Sequence, residues 1–375
     1  MKIYLQKQLG NFFINELLST EIGKNVVKEI GIIINENSLK FVLNAPPEHH
    51  DDILKIAKQT FNVKYFDRYL VLKIKYRVVW DVQFVGENFT LNDIKDFTYY
   101  YFIPEVTSNR YIFKYHSVNE YLEKLLINNT LWFNSPESFK DITDCKFEID
   151  TEVSQKNIIY FYYNKYIQDS PKEDMIISIP VFEKSFQLPS VNQFRMDLLN
   201  HHFNGVITKL GITCFSEKYD HKLMWDQYAS GYAGVCLIFD TEISESDYYK
   251  FKGKKVRYFE SPQKYFFDGT GHLEIGHVVY TKTREYEFEN EVREIINFQF
   301  EEAIDRNIKF NPLALKGIIF GPSCTESTKD KVKQLVSDAK YNHVELINSS
   351  IDIRLKFQIE SSNLDLKVKK ATSNN

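Results

Sequence analysis

The amino-acid sequence predicts an α+β protein with two domains. At 375 residues, the chain exceeds the roughly 100 to 200 residues of a usual domain. Its residues are 43% hydrophobic and 15% aromatic, a composition that can bury a substantial core. Helical and strand-like apolar spacings both occur along the chain, and they group into a small unit followed by a larger one.

Residues 1–105 form the first predicted domain. The segment "FFINELLSTEIGKNVVKEI" has helical spacing, and "GIIINENSLKFVLNA" has the pattern of strand, polar turn and strand. The segment "PPEHHDDILKIAKQTF" opens with prolines and acidic residues, as helices do, and "RYLVLKIKYRVVWDVQFV" alternates like one long strand or two short ones. A proline and turn-favouring polar residues in "IPEVTSNR" mark the end of this domain.

Residues 106–365 form the second predicted domain. It begins with a strand in "RYIFKYHS", a helix in "VNEYLEKLLINN" and a strand in "TLWFNSP". The stretch 141–209 contains helices and a variable insertion. Further strands are predicted in "GITCFSE", "GVCLIFD" and "ALKGIIFGPSC", with helices in "KLMWDQYASG", closed by Gly231, and in "TESTKDKVKQLVSDAK". Residues 366–375 are polar and without periodicity, which predicts a disordered tail.

Composition narrows the classes of function. A formal net charge of -4 gives no overall basic field, so nucleic-acid binding is neither supported nor dismissed. The four cysteines form no C-x-x-C pair, which argues against a zinc ribbon and a disulfide framework and favours reduced thiols. No uncharged apolar run reaches the ~20 residues that span a bilayer, so we expect a soluble, cytoplasmic protein without a membrane partner.

Common catalytic and cofactor motifs are absent from the sequence. It contains no Ser-His-Asp nucleophile elbow, no phosphate-binding P-loop and no G-x-G-x-x-G fingerprint. The histidine clusters "EHHDD" and "GHLEIGH" match no strong metal-ligand spacing, and we therefore predict no metal.

Strand alternation in "FKYHS" places Lys114 and His116 on one face and Phe113 and Tyr115 on the other. Two adjacent polar side chains could hold a phosphate, a ribose hydroxyl or a carboxamide. A half-buried edge strand whose polar face contacts water explains the same pattern.

The helix in "LMWDQYASG" places Trp225 and Tyr228 on one face. Aromatic residues at this spacing usually belong to a core. Because Asp226 and Gln227 lie between them, the helix could also line a pocket.

The stretch "REYEFENEVREI" is the densest run of charge in the chain. If a strand begins near Asn290, then Glu291, Arg293 and Ile295 share one face. A buried carboxylate paired with arginine stays ionised, which suits stabilisation of developing positive charge. A surface strand with an exposed salt bridge is an equal alternative.

The turn in "IIFGPSCTE" precedes a helix, whose N-terminus could attract an anion. Ser323 and Glu326 match a capping box, which explains the polar residues without a ligand.

Four segments in this order resemble a widespread bacterial domain-of-unknown-function family: "FKYHSVNEYLEKLLINNTLWFNSPESFKD", "CFSEKYDHKLMWDQYASGYAGVCLIFD", "YEFENEVREI" and "KGIIFGPSC". Members of that family show a Tyr-Lys-Tyr strand, a Met-Trp-x-x-Tyr-Ala helix and a Glu-x-Glu-x-Arg strand. The resemblance covers about residues 110–345. The segment "FKDITDC" departs from the family's Asn-Asp-Pro pattern, and Val292 replaces a common aromatic residue.

More distantly, the layout is similar to that of the ADP-ribosyltransferase superfamily. The resemblance implies a mixed-sheet domain with helical insertions that cleaves the nicotinamide–ribose bond of NAD, its substrate. It implies Glu291 as the catalytic carboxylate, Glu289 as the alternative, and Arg293 as the residue that orients Glu291. The cofactor-binding residues that it implies are Lys114, Tyr115, His116, Ser135, Trp225 and Tyr228.

The resemblance also implies a bacterial toxin or effector that modifies a macromolecule, either protein or nucleic acid, in anti-phage defence or growth arrest. The N-terminal domain would then bind a target, an antitoxin or a phage trigger. One alternative is a non-enzymatic nucleotide-sensing or protein-interaction module. Another is a nucleic-acid-processing enzyme, which would need a metal-binding carboxylate cluster.

Overall fold

The computed structural model describes most of the chain from residue 104 onward and parts of the chain before it. The described residues are 13–14, 16–20, 22–23, 27, 29–34, 38–62, 79–85, 99–102, 104–141, 143–146, 149, 158–159, 161–163, 179–186, 189–260, 278–298, 305–352, 356–360 and 362–367. Within these ranges, none of the helices is both long and apolar enough to cross a membrane.

The chain divides into two compact units. Unit 1 contains Met1–Ile103, Phe147–Phe203 and Gln263–Val278, and unit 2 contains Pro104–Lys146, Asn204–Pro262 and Val279–Asn375. The first change of unit lies two residues from the predicted boundary at 105. The two inner segments of unit 1 lie within the stretch that the sequence assigned to a continuous second domain, because sequence order does not show which core a segment joins. Residues 368–375 of the predicted tail lie outside the described residues.

Unit 1 contains a four-stranded sheet of order β3-β2-β1-β4. Its strands are β1 (Glu29–Ile34), β2 (Ser38–Asn44), β3 (Val79–Val85) and β4 (Tyr99–Phe102). β2 and β4 both run antiparallel to β1, which confirms the two predicted strands, whereas β3 runs parallel to β2. Residues 35–37 of the predicted turn lie outside the described residues. The residues of "RYLVLKIKYRVVWDVQFV" before Val79 lie outside the described residues.

The helices described in or next to unit 1 include α1 (His50–Asn62), α3 (Ile179–Phe186) and α4 (Pro189–Ile207), the last of which ends in unit 2. Further helical residues lie at 13–14, 16–19, 22–23, 158–159 and 161–163. α1 begins with Asp51 and Asp52, where carboxylates favour the positive end of the helix dipole. Its apolar face buries Ile53 and Ala57 against Phe41 in the core of unit 1. The predicted helix is therefore confirmed.

Unit 2 contains a seven-stranded mixed sheet of order β15-β14-β8-β5-β7-β12-β9. Its strands are β5 (Tyr111–His116), β7 (Leu210–Ser216), β8 (Val235–Asp240), β9 (Lys254–Lys255), β12 (Glu291–Asn297), β14 (Leu315–Phe320) and β15 (Glu345–Ile347). Only the β14–β15 pair of this sheet is parallel. Helices and mixed sheets together confirm the predicted α+β class.

Three two-stranded sheets complete the described strands of unit 2. They pair β6 (Thr130–Trp132) with β13 (Asn307–Lys309), β10 (Arg257–Phe259) with β11 (Thr281–Thr283), and β16 (Ser349–Ile351) with β17 (Phe357–Ile359). The helices of unit 2 are α2 (Glu120–Asn128), α5 (Lys222–Tyr228) and α6 (Glu326–Leu335).

The ends of these helices follow local chemistry. The Asn119 side chain caps α2 by accepting hydrogen bonds from the backbone N–H groups of its first turn. α5 ends at Tyr228 with Ala229 as its C-cap, three residues before Gly231, which was predicted to close the helix and lies in the following turn with a φ of 60°. The predicted Ser323–Glu326 capping box is wrong, because α6 begins two residues later than that pattern requires. Thr325 is the N-cap of α6 and accepts a hydrogen bond from the Thr328 N–H.

The large sheet of unit 2 is covered on both faces. Along β8, the side chains of Val235, Leu237 and Phe239 join one apolar cluster, while those of Cys236 and Ile238 join the other. A strand that is buried on both faces needs a continuous apolar run, which "VCLIF" provides.

Two strands in the middle of this sheet part from each other. β5 pairs with β8 at six positions but with β7 only at Phe113 and Ser216. Beyond that pair, Ile212 of β7 exchanges two backbone hydrogen bonds of 2.8 Å with Asn134 instead. We call the opening between β5 and β7 the seam.

Close backbone packing at the end of β14 leads to a prediction about Gly321. A Cβ atom at this position would overlap the Tyr232 carbonyl and lie 3.1 Å from the Gly234 oxygen, and both of these are backbone atoms. We expect Gly321→Ala to lower the free energy of unfolding by about 1–3 kcal/mol, as overpacking does. Urea denaturation measures this change.

Gly205→Ala is the matched control. Gly205 lies in α4, and a Cβ atom there meets nothing within 4 Å. Alanine is favoured over glycine in a helix by about 0.5–1 kcal/mol, so this variant should be more stable than the wild type. Equal stability of the two variants would contradict the close packing at Gly321.

Candidate functional site

A cavity of about 530 Å³ opens at the seam of unit 2. Its size is within the range of small-molecule sites. β5 and β7 supply Phe113, Lys114, Tyr115, Cys214 and Phe215, and α5 supplies Met224, Gln227 and Tyr228. The remaining wall consists of Asn134, Ser138, Phe139, Lys140, Asp141, Asp144, Lys282, Tyr286, Glu289 and Glu291. Aromatic rings and charged groups thus share one concave surface.

Arg293 is fully buried behind this wall and is held by two carboxylates. Its Nε and one terminal nitrogen lie 2.7 and 3.0 Å from the two oxygens of Glu291. Its two terminal nitrogens lie 2.9 and 2.6 Å from the two oxygens of Asp144. The Val279 carbonyl accepts a further hydrogen bond of 2.8 Å. Bidentate pairs of this kind fix the geometry as well as the charge of both carboxylates.

Lys282 joins the same network from β11. Its Nζ lies 2.7 Å from an oxygen of Glu289, 3.5 Å from one of Glu291 and 3.6 Å from one of Asp144. Burial opposes the charge of Lys282, but the three carboxylates outweigh burial and raise its pKa. The network therefore contains three carboxylates and two cations.

Glu291 remains ionised in this network. Burial favours its neutral form, but Arg293 and then Lys282 outweigh burial and lower its pKa to about 2. Glu291 lines the cavity and is 4% exposed, so it presents a fixed negative charge there.

Glu289 has the opposite shift. Burial and the charge of Glu291 raise its pKa to about 6, although Lys282 and Tyr228 act against them. The Tyr228 hydroxyl donates a 2.6 Å hydrogen bond to one oxygen of Glu289, and Lys282 donates to the other. Glu289 is thus the carboxylate of the pair that can exchange a proton near neutral pH.

Local backbone geometry brings the two glutamates together. Glu289 ends a 3-10 helix over Arg284–Glu289, and Asn290 follows with a φ of 43°. This left-handed residue turns the chain before β12 begins at Glu291. The Ser216 hydroxyl also donates a 2.6 Å hydrogen bond to the Glu289 carbonyl.

Two alternatives left open by the sequence are now decided. β5 lies between β8 and β7, so Lys114 and His116 are not on an edge strand. Arg293 and Glu291 are buried, so β12 does not carry a surface salt bridge there.

The predicted site residues fall into two groups. Glu289, Glu291, Lys114, Tyr115 and Tyr228 line the cavity, and Arg293 lies directly behind Glu291.

Three predicted cofactor-binding residues do not line the cavity. His116 Nδ1 contacts the Ser117 carbonyl at 2.7 Å, and the Ser135 hydroxyl donates to the Thr208 carbonyl. Trp225 is fully buried in the core, and its Nε1 donates a hydrogen bond to the Tyr219 carbonyl. Its ring therefore does not reach the cavity.

Sequence reasoning missed Asp144 and Lys282. Asp144 ends the segment "FKDITD", in which no regular spacing distinguishes it from Asp141. Lys282 lies on the three-residue strand β11, which is too short to show a period.

Among the residues that the structure describes, no group of three or more His, Cys, Asp or Glu side chains is arranged to hold a metal ion. The three carboxylates of the network converge on the Lys282 ammonium instead. His272 and His277 of "GHLEIGH" lie outside the described residues.

Comparisons of the chain with protein-family models, with curated proteins and with solved structures found no match. The geometry of the cavity wall therefore carries the functional argument. A fixed carboxylate, a carboxylate with a pKa near neutral and several aromatic rings suit a reaction that develops positive charge and moves a proton.

Proposed function

We propose that unit 2 is an ADP-ribosyltransferase-like enzyme that consumes NAD. The observation that carries this proposal is the pair Glu289 and Glu291 on one cavity wall, with pKa values of about 6 and about 2. When their surroundings separate the pKa values of two neighbouring carboxylates, one can transfer a proton while the other stays charged and stabilises positive charge.

Glu291 would stabilise the transition state. Cleavage of the nicotinamide–ribose bond sends the bonding electron pair to the nicotinamide nitrogen and leaves positive charge on the ribose. A negative charge stabilises this positively charged transition state most strongly when the charged group is already held in place before the reaction. The bidentate contacts of Arg293 with Glu291 and Asp144 supply this preorganisation.

Glu289 would accept the proton of the attacking nucleophile. As the lone pair of the nucleophile forms the new bond to the ribose carbon, its proton passes to the Glu289 carboxylate. A group with a pKa near the working pH suits this role. Glu291 thus keeps the role that the sequence hypothesis gave it, and Glu289, there the alternative catalytic carboxylate, takes a second and separate role.

The rest of the cavity suits a planar, polar ligand. Tyr115, Phe139, Tyr228 and Tyr286 line the cavity and could stack on a nicotinamide or adenine ring. Following the resemblance, we propose a bacterial toxin or effector in the cytoplasm that acts in anti-phage defence or growth arrest and modifies a macromolecule, with the N-terminal residues recognising a target, antitoxin or phage trigger.

NAD labelled on its adenosine part, incubated with the protein and bacterial extract, tests this function. We expect release of nicotinamide and transfer of label, with both strongly reduced in Glu291→Gln. Glu285→Gln is the matched control, because Glu285 is an exposed carboxylate of the same stretch. Absence of nicotinamide release, or equal transfer by Glu291→Gln, would overturn the proposal.

The same assay separates the alternatives. Thermal stabilisation by NAD without any product would indicate a nucleotide-sensing module, since a ligand that binds the folded state stabilises it. Cleavage of nucleic acid that EDTA abolishes would indicate a metal-dependent nucleic-acid-processing enzyme.

A further inference from the structure

We propose that Lys114 is a carbonyl-capturing amine, which forms an imine with a small aldehyde or ketone that enters the cavity. No step of the proposed NAD reaction requires this activity. It is suggested by the contrast between the two lysines Lys114 and Lys282, which line the same cavity in different surroundings.

Lys114 has no ion pair with a carboxylate in the described part of the chain. Its Nζ donates hydrogen bonds of 2.9 Å to the Thr213 hydroxyl and 2.9 Å to the Cys214 carbonyl. Nζ also lies over the face of the Phe215 ring, 5.0 Å from its centroid. All three partners are uncharged, although the ring face favours an ammonium.

The seam explains this environment. β5 and β7 stop pairing after Phe113 and Ser216, so the Cys214 carbonyl is free to accept from Lys114. The lysine side chain thus lies between two parted strands and keeps part of its surface accessible in the cavity.

Burial lowers the pKa of Lys114, and the nearby Cys214 and Glu291 only partly offset this effect. A neutral amine has two N–H groups and one lone pair. The two acceptors at 2.9 Å match the two N–H groups, which leaves the lone pair for an electrophile. Lysines that lose their charge through burial act as nucleophiles toward carbonyl groups.

Imine formation is balanced without a further reactant. The nitrogen lone pair forms a bond to the carbonyl carbon, and a proton moves from nitrogen to the former carbonyl oxygen to give a carbinolamine. The C–O bond then breaks, and the oxygen leaves as water with both amine hydrogens. No oxidant or reductant takes part, and the C=N bond remains on Lys114.

Reductive trapping of the full-length protein tests this proposal. Glycolaldehyde at low concentration and neutral pH would be added with sodium cyanoborohydride, which reduces only the imine that has formed. Peptide mapping by mass spectrometry then gives the adduct at each lysine. We expect Lys114 to be labelled at a rate several-fold above that of Lys124.

Two lysines of the same molecule are internal controls. Lys124 is a 64% exposed lysine on α2 that represents an ordinary surface amine. Lys282 lines the same cavity, but three carboxylates keep it protonated, so it should remain unlabelled. Because both lysines line the cavity, a difference in labelling between Lys114 and Lys282 reflects the reactivity of the amine and not the access of glycolaldehyde to the cavity.

Labelling of Lys114 no faster than Lys124, or equal labelling of Lys114 and Lys282, would overturn the proposal. Lys114→Arg should remove the adduct from that peptide, but the decision rests on the wild-type map and needs no folded variant. The two proposals can fail separately. If Lys114 is labelled but the protein releases no nicotinamide from NAD, carbonyl capture is supported and the proposed NAD reaction is overturned.

Discussion

Arg293→Met should destabilise unit 2 by about 3–5 kcal/mol, the usual cost of removing one partner from a buried ion pair. The methionine would leave Glu291 and Asp144, both about 4% exposed, with Lys282 as their one ion-pair partner among the described residues. Urea denaturation followed by circular dichroism measures the loss. The pKa of Glu291 should rise in the variant, because Arg293 is the strongest of the charges that lower it.

Arg284→Met is the control for this substitution. Arg284 lies nine positions earlier in the same charged stretch, is 52% exposed, and pairs with Glu260 at the surface. An exposed ion pair contributes only about 0–1 kcal/mol, so this variant should be close to wild type. If both arginine variants lost the same stability, the buried network would not be the source of the effect.

Glu289→Gln and Glu291→Gln should both lower NAD cleavage but should differ in stability. Loss of a general base reduces the rate by about 10²–10⁴-fold, and loss of a preorganised charge by about 10²–10³-fold. Nicotinamide release under saturating NAD measures both effects.

The stability of the two variants follows from the signs of the pKa shifts. The pKa of Glu289 is raised from 4.5 to about 6, so its ionisation disfavours folding above that pH by about 2 kcal/mol at most. Glu289→Gln should therefore be as stable as wild type, or more so, at pH 8.

The pKa of Glu291 is lowered to about 2, so it stabilises the fold above pH 4.5 and this contribution is lost as the pH falls toward 2. Glu291→Gln should be less stable at pH 8 and should lose less stability on acidification. Chemical denaturation at pH 8 and pH 3 compares the three proteins, because pH 3 lies between the ordinary pKa of 4.5 and the lowered pKa of about 2 of Glu291. Equal stability of both variants at pH 8 would contradict the separate roles of the two carboxylates.

Most elements of unit 2 could be predicted because their local signals agree with their burial. β8 and β14 are continuous apolar runs that are buried on both faces, and α2 combines an asparagine cap with an apolar stripe. The start of α6 near Thr325 was predicted correctly, but the capping residue was wrong, because Ser323 and Thr325 are both acceptable caps.

Part of the site could be predicted because some of its residues lie close together in the sequence. Glu289, Glu291 and Arg293 form a dense charged run, which is visible in any reading of the sequence. Trp225 was assigned to the cofactor, but its ring is buried in the core, because spacing on a helix shows which residues share a face and not what that face contacts.

The sequence by itself determined the α+β class and the strand that carries Glu291 and Arg293, because both depend on periodicity within a short window. Only the tertiary structure decided that Asp144 and Lys282 complete the network and that Lys114 lies in the seam. These groups come from segments up to 149 residues apart, and electrostatic contacts over such separations leave no local pattern in the chain.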